Sequence, residues 1–449
     1  MDGPVCGIIP PYLLQELADK SDDDSIRRSA QSTLALGAAL HKKRHEWLAQ
    51  RGIVPDPILE SIKKSSQVDQ KTKDSAARTL QLAQEVRDER AAEAAAAAAA
   101  EATPATTTTT TTTAPPPPSG TTSPPPVAGA PVSTASGFQR AVYDMQNQGD
   151  ADRPETFDLL PGTPRRSEGD AVFASDTKVN EAYDNALRVL QFFESKFGYR
   201  SLDNQGMKVD SSVHFGDGLG NAFWIGFGMG GREPGQMVYG DGNAMLHNFT
   251  ACVDVIGHEM THAVTQFTTA LVYENESGAL NEHISDVFGI MVKQMVEKET
   301  AENADWLIGE GCLLPGVKGV SLRNMRDPGT AYNDPRFGKD IQPAHYDDIP
   351  AVMRRFGDFI RDRDYGGVHV FSGIPNRAFV LAATAFGGFS WEKAGQIWWR
   401  VVSTKSIPNT CTFIQFADAT VDAAMALYGE DAARVVRDAW NTVGVVRKV

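Results

Sequence analysis

The sequence predicts an α+β protein of two lobes, with strands gathered in the first lobe and helices in the second. Two observations lead there. Residues 205–250 are rich in glycine and aromatics and contain strand-like pieces at Lys208–Phe215 and Gln236–Tyr239, whereas from about 251 onward apolar residues recur at helical spacing. A third observation detaches this body from what precedes it. Residues 92–137 run from alanines into threonine-, proline-, serine- and glycine-rich chain, which has little apolar area to bury and reads as an extended or disordered tether. The reading is therefore a helical segment at 1–91, a linker at 92–137, a first lobe at 138–271 and a helical lobe at 272–449.

Taken in order, the N-terminal segment contains a duplication. Gly7–Ser21 (GIIPPYLLQELADKS) aligns with Gly52–Ser66 (GIVPDPILESIKKSS), and Ser29–Leu36 aligns with Ser75–Leu82. Each copy predicts an extended proline-containing stretch, a short helix and a charged amphipathic helix. The body, opening near Phe138, predicts helices at 176–199, 251–270, 281–299, 372–386, 391–403 and 412–428.

Composition narrows the function. The chain has 449 residues, of which 41% are hydrophobic, enough for a sizeable core. Its formal net charge of −14 would repel a phosphate backbone, so nucleic-acid binding is disfavoured. No apolar run is long enough to span a bilayer. The N-terminus lacks a basic stretch and turns acidic at Asp22–Asp24, so no secretory leader is expected; cytoplasmic synthesis, with leaderless export as an option, is the expectation. Cys6, Cys252, Cys312 and Cys411 lie far apart without a CxxC, which predicts neither a disulfide framework nor a cysteine metal site.

The chemical signal is His258-Glu259-Met260-Thr261-His262 within an apolar helical stretch. Histidines at i and i+4 share one helix face and can present two ring nitrogens to one zinc ion. Glu259, one step round, can reach a metal-bound water without being a ligand, as a general base must. Zinc needs a third protein ligand. Downstream, Glu282 and Asp286 are again i and i+4, offering a ligand and a carboxylate to orient a histidine, with His283 as the nearest competitor. Thr265 and Thr268 stand where a glycine and a third histidine would be in the other common HExxH pattern. Taken alone, Tyr273 and Trp224 would read as core aromatics.

GHEMTHAVT at 257–265, YENESGALNEHISDVFG at 273–289, NAFW at 221–224, SLRNMRDP at 321–328 and DYGGVHVFSGIPN at 364–376 follow one another in an order that resembles the thermolysin family of zinc endopeptidases. The resemblance covers about 140–449 and implies that family's two-lobed fold with a zinc cleft between the lobes. It implies His258, His262 and Glu282 as zinc ligands, Glu259 as the proton acceptor and Asp286 as the partner of His258. It further implies His369, supported by Asp364, and Tyr273 as donors to the developing oxyanion. Asn221, the Ala222 carbonyl, Trp224 and Arg323 match substrate-holding groups. Leu246, Phe249, Val255, Ile308 and Leu322 match an apolar pocket for a large hydrophobic residue after the cut. The implied partners are protein or peptide substrates, and a monomer is expected.

Two departures carry expectations of their own. The family's calcium site near the cleft is matched by Asp254, Asp305 and Glu310, but Lys293 and Leu307 replace two of its members. An ammonium among carboxylates substitutes for the cation, so calcium is not expected there. Ile9-Pro10-Pro11-Tyr12-Leu13-Leu14 resembles the opening of the short propeptides of protealysin-like members, which implies that this chain's own N-terminal segment is its inhibitor. Cleavage in the tether, between about Ala91 and Arg140, is expected to release it. Cys6, just before the motif, offers a thiolate that could take zinc's open position; the alternative is a thiol without a role. Two other functions stay open at this level: a catalytically silent relative that binds peptides, and a regulator acting through its helical repeats.

Overall fold

A computed structural model describes residues 5–50, 137–149, 159–226 and 235–446. The second copy of the duplication and the tether lie outside the described residues. So does the Cys6 side chain, and with it the proposed thiolate ligand.

The two-lobed thermolysin-like fold is present. In the N-terminal segment, strand β1 (Val5–Gly7) precedes helix α1 (Pro11–Lys20) and helix α2 (Asp24–Gln50). Pro11 sits in the first turn of α1, where its missing N–H costs nothing. The first lobe contributes β2 (Arg140–Asp144), β3 (Thr163–Ser167), α3 (Thr177–Phe197), β4 (Val209–Val213), β5 (Ala222–Ile225) and β6 (Gln236–Tyr239). Asp176 caps α3 by accepting from the Lys178 N–H, and Gly198 closes it in the left-handed region at φ 64°.

Two long helices follow, α4 (Val253–Phe267) and α5 (Asn275–Glu297), then the small hairpin β7 (Leu307–Ile308) and β8 (Arg323–Asn324), with a 3₁₀ turn at Glu310–Cys312 between them. A second small hairpin pairs β9 (Asn333–Asp334) with β10 (Gly338–Lys339). The helical lobe is completed by α6 (Ile349–Arg363), α7 (Val368–Phe371), α8 (Gly373–Phe386), α9 (Lys393–Ser403), α10 (Phe413–Tyr428) and α11 (Glu430–Thr442). The helix expected at 281–299 starts at Asn275, and α6 and α11 were not foreseen.

The sheet has the order β1-β5-β6-β4-β2-β3. β1 pairs antiparallel with β5, Cys6 opposite Trp224 and Gly7 opposite Phe223. The N-terminal segment thus supplies the edge strand of a sheet whose other strands belong to the body, a case of strand addition.

Contact between α4 and α5 depends on two glycines. A Cβ on Gly289 would lie 2.6 Å from the Asp254 carbonyl oxygen and 3.0 Å from the His258 nitrogen, and one on Gly257 would lie 3.0 Å from the Gly289 Cα. Without side chains there, the two backbones approach closely, which brings Glu282 opposite the two histidines.

His214 ties the first lobe together at its rim. Its Nδ1 meets both oxygens of Asp241 at 2.8 and 2.9 Å, and its Nε2 meets Asp176 at 2.6 Å. Lys178 and Asn147 hold Asp241 at 3.0 Å each. The bond to Asp241 is the main reason that His214 is raised to about 9 from 6.5. A raised folded-state pKa means stability that is fully present below the unfolded value near 6.5 and lost as pH rises through about 9. His214→Gln is expected to lower the thermal midpoint most near pH 6 and progressively less towards pH 10. A difference in midpoint that does not change with pH would contradict this.

Candidate metal centre and substrate cleft

Helix α4 is buried on every side from Val253 to Gln266, so its many polar residues are costly unless they find partners. His258 Nδ1 meets Asp286 Oδ1 at 2.8 Å, and His262 Nδ1 meets Asn281 Oδ1 at 2.8 Å. Those bonds to Nδ1 leave the two Nε2 atoms facing one another, 3.0 Å apart. Glu282 lies 3.5 Å from His258 Nε2 and 3.4 Å from His262 Nε2. All three side chains are fully buried. Burial pushes His262 down to about 3, so its imidazole is neutral, as a metal ligand must be. Glu282 Oε2 has no hydrogen-bond partner although it is buried. Two converging imidazole lone pairs and an unsatisfied carboxylate oxygen fit a divalent cation held by nitrogen and oxygen ligands.

Behind the three candidate ligands lies a chain of further contacts. Asp286 also accepts both arms of the Arg323 guanidinium, at 2.6 and 2.8 Å, and the Asn376 amide at 2.8 Å. Asn281 and Asn376 went unremarked in the sequence. Asn281 precedes Glu282 directly, and its bond to His262 could be guessed only once α4 and α5 were known to touch. His283, the competing ligand, points elsewhere: its Nδ1 meets Asn376 and its Nε2 accepts from the Trp398 indole, each at 2.8 Å.

Glu259 is fully buried beside the cluster. Its Oε2 accepts from the Trp224 backbone N–H at 2.9 Å, while Oε1 has no partner. Burial, followed by the charge of Glu282, pushes its carboxyl well above the ordinary range. His369 Nδ1 meets Asp364 at 2.6 Å. Burial opposes the imidazolium, but the Glu282 and Asp364 carboxylates outweigh it and hold His369 above its usual value. The Tyr273 hydroxyl donates to Glu282 and lies 3.3 Å from His369 Nε2.

The N-terminal segment lies across this cleft. Gly7 O meets His369 Nε2 at 3.0 Å, the Ile8 N–H donates to Ala222 O at 3.3 Å, Ile8 O accepts from Arg323 at 2.8 Å, and the Ile9 N–H donates to Asn221 Oδ1 at 2.9 Å. Trp224 contributes through its backbone; its indole is buried and donates to Gln266 at 2.9 Å. Ile8 is 0% exposed and joins the apolar cluster that contains Leu246, Phe249, Val255, Ile308 and Leu322. Pro10 and Pro11 open α1, and the Tyr12 hydroxyl meets that of Tyr332 at 2.7 Å. Ser29 and Thr33 of α2 bond to the Gly218 carbonyl and the Gly220 N–H.

This fold and this cluster are those of the thermolysin metallopeptidases, and the chain belongs to that family. Residues 133–266 match the thermolysin metallopeptidase catalytic domain, and 269–445 match its alpha-helical domain. The chain is similar to protease PrtS of Photorhabdus sp. (strain Az29), 43% identical over 307 residues, covering 68% of this chain and 76% of that one. It is also similar to an extracellular metalloprotease of Pectobacterium carotovorum, 42% identical over 308 residues, covering 68% and 81% respectively. Among solved structures it matches the precursor of protealysin, a metalloproteinase from Serratia proteamaculans, with a TM-score of 0.61 and 37% identity, covering 88% of this chain and 99% of that one. The protein is accordingly a metallopeptidase acting on proteins or peptides. Among the described residues, no helix is long and apolar enough to cross a membrane.

Proposed function

We propose that this chain is a latent zinc endopeptidase that cuts before large hydrophobic residues and is held inactive by its own N-terminal segment. The observation that carries the reading is the register of that segment. The Gly7–Ile8 peptide has its carbonyl oxygen on His369, its N–H on Ala222 and the next carbonyl on Arg323, the contacts that an extended substrate would need on either side of a scissile bond. Burial of Ile8 at the position after that bond supports the hydrophobic preference.

His258, His262 and Glu282 would hold the zinc ion, which would supply Lewis acidity towards the scissile carbonyl and a water molecule. Glu259, with Oε1 unpartnered, accepts the proton from the attacking water and passes it to the leaving amine. His369, kept protonated by Asp364, and Tyr273 donate to the oxygen on which charge develops. Arg323 and Asn221 hold the main chain beyond the cut.

The test is casein hydrolysis by purified full-length chain before and after limited proteolysis of the tether, with zinc content recorded. Activity that appears on cleavage, disappears with a chelator and returns with zinc is expected. A cleaved, zinc-loaded chain without activity would leave only a peptide-binding role.

Calcium does not serve the cleft at Lys293 in this reading. Its ammonium lies 3.0 Å from Asp305, 3.2 Å from Glu310 and 3.3 Å from the Leu307 carbonyl. Burial works against that charge, but Asp254 and Asp305 hold it above its ordinary value. Because Asp305 and Glu310 are partly exposed, Lys293→Ala is expected to cost only about 1–2 kcal/mol. Calcium is expected to give no rise in the wild-type thermal midpoint that depends on Asp305. A rise that is abolished by Asp305→Asn would contradict the replacement.

A further inference from the structure

Sequence separation concealed one pair of reactive groups. Cys252 is the residue before the first turn of α4, and Cys312 ends the 3₁₀ turn at Glu310–Cys312. Their Sγ atoms are 3.5 Å apart, and both are free thiols. We propose that these two cysteines form a redox-controlled staple, open in a reducing medium and closed by thiol–disulfide exchange with a small-molecule disulfide.

The backbone around the two cysteines is tied together by hydrogen bonds. The His247 N–H donates to Cys312 O at 3.0 Å, the Leu314 N–H to Met245 O at 3.0 Å, and the Gly309 N–H to Asp254 Oδ2 at 2.6 Å, while Leu246 and Leu313 form an antiparallel bridge. The sulfurs have to close from 3.5 Å to a bond of about 2.05 Å within this tied frame.

The two thiols differ in access. Cys252 is partly exposed, whereas Cys312 is buried. The hydrogen bond to Cys252, and then burial, push the Cys312 thiol up. Cys252 is placed to attack a disulfide arriving from solvent, expelling one thiol and forming a mixed disulfide. Cys312 then attacks the Cys252 sulfur, expelling the second thiol. Each protein thiol loses its proton to a departing thiolate, so two protein thiols and one external disulfide become one protein disulfide and two small thiols.

What the staple would join matters for the cleft. α4 carries His258, Glu259 and His262, while the 3₁₀ turn follows β7, whose Ile308 pairs with Arg323 of β8. Closure would tie the helix of the metal cluster to the hairpin that holds Arg323.

The experiment uses the full chain, incubated with glutathione disulfide or with a phosphine reductant, followed by peptide mapping and a thermal scan. Oxidation is expected to link the Cys252 and Cys312 peptides and to raise the thermal midpoint by on the order of 5 °C. Cys312→Ser is expected to trap glutathione on Cys252, and Cys252→Ser to abolish the link; Cys411→Ser should change neither result. A lasting glutathione adduct on wild-type Cys252, thiols at both positions that stay free, or a link that leaves the midpoint unchanged would each overturn the proposal. The oxidised and reduced wild-type comparison stands even where a variant fails to fold, and none of these readouts depends on peptidase activity.

Discussion

Glu259→Gln is expected to lower kcat/KM on a peptide substrate by at least about 1,000-fold while zinc content stays at the wild-type level. Glutamine keeps the shape of the side chain and an amide oxygen to accept the Trp224 N–H, so the fold and the two histidines have no reason to move. It cannot accept a proton from water. His258→Ala, by contrast, removes one of the proposed ligands and is expected to abolish zinc binding and activity together. Metal analysis beside a fluorogenic peptide assay separates the two effects, with the tether cut so that latency does not confound them. Retention of more than a tenth of wild-type activity by Glu259→Gln would remove Glu259 from the role of general base.

Ile8→Asp is expected to end latency in the uncut chain. Ile8 is fully buried in the apolar cluster, so a carboxylate at this position would be taken out of water among hydrophobic side chains. Placing an unpaired charge in such a site costs about 3 kcal/mol or more, enough to weaken docking of the segment over 100-fold. Full-length Ile8→Asp should therefore hydrolyse a peptide substrate at a rate approaching that of the tether-cut wild type, and cutting its tether should add little. If the uncut variant stays as silent as the wild type, residues other than 7–9 hold the enzyme closed. Tyr12→Phe is the milder companion: it removes only the bond to Tyr332, and partial relief is expected.

Much of the site was readable because its spacing is local. The His258–His262 pair and the Glu282–Asp286 pair each depend only on the period of a helix. The place of Lys293 among carboxylates was legible only through the resemblance to the family's calcium site, because Asp305 and Glu310 lie 12 and 17 residues further along the chain. Helix α11 was also legible but overlooked, since Ala432, Ala433, Val436, Ala439 and Trp440 make a buried stripe at helical spacing. Helix α6 had a weaker signal, with only Gly357 and Ile360 buried in a highly charged run. Other features could not be read. Strand β1 is three residues long and is a strand only because β5 lies beside it. Asn281, Asn376 and the Cys252–Cys312 approach depend on which backbone surfaces meet, and Gly257 and Gly289 decide that without any motif.

The pairing of β1 with β5 has a consequence for how this peptidase would choose among proteins. If the N-terminal segment leaves as proposed, β5 would offer an open row of main-chain donors and acceptors that only a fully stretched chain can meet. A helix has already spent those groups internally, and a strand within a sheet has spent them on its neighbours. A folded target must then open a stretch of several residues before it can enter. Its rate of cleavage should follow the population of that local opening more closely than the number of hydrophobic residues in its sequence. The edge vacated by β1 would make the enzyme a reader of unfolding free energy, indifferent to a stable protein and quick to destroy its destabilised variants.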